Sequence, residues 1–137
     1  KGELAILVCH WPGIYFNGEE VGFSIFKEVV RRIHARYDNL IWMKQCEIAR
    51  YWAARELTQI KRQGNRVILG APFAAPRFTV RLAGVPLQPP AVAVNGVITK
   101  PEKVRNPLWL KSGTWYPDDK GATICFDLPK GRSAIEI

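Results

Sequence analysis

The sequence predicts an α/β segment in the order β-α-β-α, followed by a small antiparallel β-sandwich-like domain, with the change near residue 63. Three observations point there. A continuous apolar run opens the chain, as in a parallel strand buried on both faces. Apolar residues then recur at helical spacing. After residue 65 the pattern breaks into short runs separated by Pro and Gly, and nine of the ten prolines lie there.

The opening run is Leu4-Ala5-Ile6-Leu7-Val8-Cys9. Phe26, Val29, Val30, Ile33 and Tyr37 then form one stripe, with Lys27, Glu28, Arg31 and Arg32 on the other side, so a helix is expected over 22–33. Asp38-Asn39 ends it, and Leu40-Ile41-Trp42-Met43 reads as a second short strand. A second helix is expected over 47–60, with Ile48, Tyr51 and Trp52 inward. Glu47 at its start and Lys61 and Arg62 at its end suit the helix dipole, and Gly64 suits a C-terminal stop. Alternating β and α elements imply parallel pairing with a right-handed crossover.

Beyond residue 63 the strand candidates are 67–69, 78–82, 91–94 and 122–126, and the alternating Ile135-Glu136-Ile137 closes the chain. Asn95-Gly96 between Val94 and Val97 is a hairpin signal, because a type I′ turn needs two residues at positive φ. Asp118-Asp119-Lys120-Gly121 marks another turn. The expected parts are therefore 1–63 and 64–137, both ordered, since 47% apolar and 23% charged residues is ordinary globular composition.

The net charge of +8 suits an anionic partner, but no run of like charges and no nucleic-acid motif accompanies it, so nucleic acid is disfavoured. No apolar run approaches the ~18 residues of a membrane span. Cys9, Cys46 and Cys125 are odd in number and form no Cys-x-x-Cys pair; each is expected as a small buried hydrophobe, and the compartment stays open. Lys1-Gly2-Glu3 runs straight into the first apolar segment, which reads as a cut end.

His10 is the candidate catalytic residue, because it follows the first expected strand at its carboxyl end, where βα loops build sites. Cys9 points to the opposite face and makes no nucleophile–base pair with it. His34, late on the first helix, is expected at the solvated surface. The loop at 11–18 places Trp11, Tyr15 and Phe16 close together, and aromatic rings on a loop offer platforms for the apolar face of a sugar. Trp109, Trp115 and Tyr116 are expected in the core of the β region.

Ile6-Leu7-Val8-Cys9-His10, the amphipathic helix after it and the start Cys46-Glu47-Ile48 together resemble the last part of a polysaccharide deacetylase barrel, over roughly residues 4–57. Val8-Cys9-His10 stands at the family's Leu-x-His motif, and Val8, Trp11 and Cys46 stand where Leu, Asp and Ser are usual. The resemblance implies a terminal βαβα segment of a deacetylase-like barrel with an appended β domain. It implies an intact parent that hydrolyses acetyl groups on carbohydrate with a divalent, zinc-like metal, and His10 as the acid that protonates the departing amine. No residue of this chain matches the family's metal ligands or base, so no cofactor is expected within it and it is incomplete as a catalyst. The implied partners are carbohydrate and the missing N-terminal part of the same barrel, and uncovered apolar surface leads to an expectation of self-association. The other class of function that the residues admit is a non-catalytic carbohydrate- or protein-binding or structural β module.

Overall fold

A computed structural model describes residues 5–8, 10–38, 40–84 and 88–137. The chain divides into two compact units, Lys1–Trp42 and Met43–Ile137.

The first unit is helical. Helix α1 (Trp11–Tyr15) takes Pro12 in its first turn, where the missing N–H costs nothing. A 3₁₀ turn, Phe16–Gly18, leads on to helix α2 (Val21–Arg36). A Cβ at Gly22 would run into the carbonyl of Gly13, so this glycine is what lets α1 lie against the start of α2. The apolar spacing gives α2 a half-buried face of Phe26, Val30 and Ile33, but no residue of the helix is fully buried. Val29 and Tyr37 of the expected stripe are exposed. On the polar side, Glu28 accepts bonds from Arg31 at 2.7 Å and Arg32 at 2.8 Å, which hold its carboxyl down at about 2.

The two strands expected in this part are corrected. Residues 5–8 and 40–43 lie in no strand, while Leu4 and Cys9 fall outside the described residues. A buried parallel strand needs neighbours to satisfy its backbone groups, and no described strand pairs with either segment. Apart from the half-buried Leu40 their side chains face water instead, with Ile6 59% and Val8 80% exposed. The parallel βαβ pairing is therefore absent among the described residues.

The second unit opens with helix α3 (Gln45–Leu57). The Glu47 carboxylate accepts the Lys44 backbone N–H at 2.7 Å, which satisfies one of the donors left free at a helix start. Cys46, expected buried, is exposed just inside that start. The helix stops at Leu57 rather than near residue 60, and Gln59–Gln63 forms strand β1. Strand β1 pairs antiparallel with β2 (Arg66–Ala71) over five residue pairs. Gly64, at φ +59, turns this hairpin and does not cap a helix. The ladder outweighs the favourable helix propensity of Lys61 and Arg62.

The remaining strands are β3 (Ala75–Ala83), β4 (Ala91–Val94), β5 (Val97–Thr99), β6 (Glu102–Lys103), β7 (Thr114–Asp118), β8 (Gly121–Leu128) and β9 (Gly131–Glu136). They form one sheet in the order β1-β2-β9-β4-β5 and a second in the order β3-β8-β7-β6. Every described pairing is antiparallel except β6 with β7. The whole chain is thus mixed α and β with mostly antiparallel sheets. The Asn95-Gly96 hairpin forms as expected, at φ +49 and +80.

Alternation along the strands sends Val67, Leu69, Val92 and Ile135 of the first sheet and Val80, Trp115, Ile124 and Leu128 of the second into one buried cluster. Ala54 of α3 joins it with no exposure, whereas Trp52, expected inward, is 62% exposed. Tyr51 covers part of an open edge: its hydroxyl bonds Thr79 Oγ1 at 2.7 Å and lies 3.4 Å from the Thr79 backbone nitrogen on β3. A covered edge is less available to foreign strands.

Cys125 is buried on β8, and burial pushes its thiol up to about 11, with the Asp127 carboxylate adding to the effect. Because the thiolate is the reactive form, only one thiol of the native Cys9→Ser protein, Cys46, should react with a disulfide reagent at pH 8. Denaturant should release the second. Two rapid equivalents in the native state would show that the strand is open.

Candidate functional site

Helix α1 positions the residues that the sequence singles out. His10 is its N-cap, in extended conformation at φ −89, ψ 139. Its carbonyl accepts the N–H groups of Gly13 at 3.0 Å and Ile14 at 3.2 Å. Its imidazole makes no capping bond and is exposed. Trp11 is the first helical residue, Tyr15 the last, and Phe16 opens the 3₁₀ turn. Tyr15 is 38% exposed and Phe16 59%. The chain then reverses through Asn17 at φ +52 and Gly18 at φ +83, conformations suited to those two residue types. His10, Trp11, Tyr15 and Phe16 thus sit on one turn-and-a-half of backbone braced at Gly13–Gly22.

The structure adds a contact that sequence reasoning missed. Trp42 Nε1 donates to His34 Nε2 at 2.9 Å, and the two rings stack with centroids 5.7 Å apart. Accepting this bond assigns the neutral imidazole its proton on Nδ1. His34 is exposed as expected, but it is not merely solvated. Residues eight apart across a helix end carry no periodic signal, so nothing in the pattern could have found the pair.

In the second unit the strongest polar arrangement is Arg81 with Asp118. Arg81 donates to both carboxylate oxygens, at 2.9 and 3.0 Å, and also lies 3.4 Å from the Thr123 hydroxyl. The fork-on-fork geometry holds the Asp118 carboxyl below its ordinary range, chiefly through Arg81 and then through the Lys120 backbone N–H. Both Arg81 and Asp118 lie outside the core, on the two strands that flank β8, and the pair fastens β3 to β7 across it. Of the aromatics expected in the core, Trp115 is buried and Tyr116 half-buried, but Trp109 is 63% exposed beside the equally open Leu108. A short 3₁₀ turn, Pro107–Trp109, presents these two side chains.

No group of three or more His, Cys, Asp and Glu side chains that could hold a metal is found among the described residues. No described helix is long and apolar enough to cross a membrane. In comparisons with known proteins, no family model, no curated protein and no solved structure matches the chain.

Proposed function

We propose that the chain is the C-terminal part of a polysaccharide-deacetylase-like protein, whose remainder would supply the metal site and cover the first unit. The parent reaction is hydrolysis of an acetyl group on carbohydrate, with His10 as the acid toward the leaving group. Beside the motif Val8-Cys9-His10, one observation carries this reading. An apolar segment at 5–8 lies in water, and the 16-residue amphipathic helix that follows in the same unit buries none of its residues. Apolar surface of that kind is unfavourable by about 25 cal/mol per Å² and ordinarily marks a missing partner. Strand formation at 5–8 within a completed barrel would satisfy both the backbone and the side chains.

The purified chain should bind the dye ANS strongly and should not deacetylate acetylated sugars with zinc. The intact parent should turn them over and leave the dye dark. Turnover by the chain alone would end this assignment. An inactive parent with a dye-silent chain would instead favour a non-catalytic binding module. The packed core of the second unit and the open Trp109 and Leu108 are the observations on that side.

A further inference from the structure

The sheet β1-β2-β9-β4-β5 has one face turned into the core, and its opposite face carries a feature that the deacetylase reading does not use. Register places Gln59, Gly70 and Arg132 side by side on β1, β2 and β9. They lie on the face opposite the buried Val67, Leu69 and Ile135. A shallow depression forms there, lined by Gln59, Gly70 and Arg132 and closed by Leu57 and Pro72. Lys61 stands two residues along β1 on the same face.

Gly70 is the informative residue. It sits inside a strand paired on both sides, without the positive φ that would demand glycine. A Cβ there would meet nothing nearer than the Gln59 Cβ at 4.0 Å, an ordinary contact. Neither the backbone nor the packing of the fold requires a glycine at this position. Glycine weakens a strand interior, and its recurrent use there is to admit a close-lying ligand or chain. Arg132 is the second signal. It is exposed and makes no ion pair or hydrogen bond among the described residues, whereas Arg66 on the same face is paired with Glu136 at 2.7 Å.

We infer that this depression binds the carboxylate-bearing sugar unit of an acidic polysaccharide. The Arg132 guanidinium takes the carboxylate through two parallel bonds, as its planar fork favours. The Gln59 amide meets a ring hydroxyl, and the bare floor at Gly70, with Leu57 and Pro72 beside it, receives the flat apolar side of the ring. An acidic peptide fits less well. Peptides are held largely by main-chain bonds to an open strand edge, which here is the outer side of β1, whereas Gly70 and Arg132 lie on β2 and β9, both already paired on either side. The net charge of +8 raises the local concentration of any polyanion but does not select among them. This inference concerns the second unit alone and holds whether or not the parent hydrolyses acetyl groups.

Titration of the full 137-residue chain with trigalacturonate, followed by calorimetry, tests it. Binding should be measurable for the acid and at least tenfold weaker for its methyl ester. Arg132→Gln and Gly70→Val should each weaken it about tenfold or more, Gly70→Val without lowering the melting temperature. Arg105→Gln, an equal loss of charge on a distant loop, should leave it unchanged. Equal losses in Arg132→Gln and Arg105→Gln would reduce the effect to diffuse attraction and overturn the site. So would undiminished binding of the ester, full binding by a folded Gly70→Val protein, or no binding of the acid at millimolar concentration. Hexaglutamate binding as tightly, with the same dependence on Arg132 and Gly70, would replace the sugar by an acidic peptide.

Discussion

Leu69→Ala should destabilise the β unit by about 2–5 kcal/mol, the range for deleting most of a large aliphatic side chain from a closed core. Leu69 has no exposed surface and sits on β2 opposite Ser133 of β9, inside the shared cluster. The neighbouring Ile68→Ala should cost far less, under about 1.5 kcal/mol, because Ile68 points to the other face and is half-buried there. For a unit of this size each kcal/mol moves the melting temperature by roughly 4–8 °C, so thermal denaturation separates the two variants readily. A larger loss in Ile68→Ala than in Leu69→Ala would mean that the register of β2 against β9 is misassigned by one residue, since such a slip exchanges the two faces of a strand.

His10→Ala, made in the intact parent, should lower kcat by about 10²–10⁴-fold if His10 is the general acid. Substrate affinity should change much less, because the proton is needed mainly in the transition state. The structure adds a control. The imidazole makes no capping bond and is exposed, and the residue's structural contribution runs through its carbonyl, which alanine retains. Stability should therefore stay within about 0.5 kcal/mol of the parent's. A folded His10→Ala enzyme with undiminished kcat would remove His10 from the chemistry.

The β region was the more legible part of the sequence, for a physical reason. Its information is local: Asn95-Gly96 specifies its own turn, and Phe78, Val80 and Leu82 alternate with Thr79 and Arg81. The β1–β2 hairpin was missed because Gly64-Asn65 serves equally as a helix stop and as a turn. Only the pairing of Gln59 with Gly70 through Gln63 with Arg66 decides between them. Residues 5–8 and 40–43 show the opposite failure. Their composition is that of buried strands, but a strand exists only with a partner, and sequence pattern cannot say whether one is at hand. Of the candidate site, the clustering of His10, Trp11, Tyr15 and Phe16 was legible because they are neighbours in the chain. The brace between Gly13 and Gly22 and the bond from Trp42 to His34 were not, since both depend on how the turns of the first unit return on themselves.

Strand β9 lies between β2 and β4, and no described bond of the ladder joins those two directly. The hairpins β1–β2 and β4–β5 can each form early, from contacts only a few residues apart. They become one sheet only when the last six-residue strand inserts between them. During synthesis the larger sheet must therefore wait as two separate halves until β9 has cleared the ribosome. Such late, non-local closure belongs to slow-folding topologies. A ribosome stalled before β9 emerges would hold a chain whose hairpins are made and whose sheet is not.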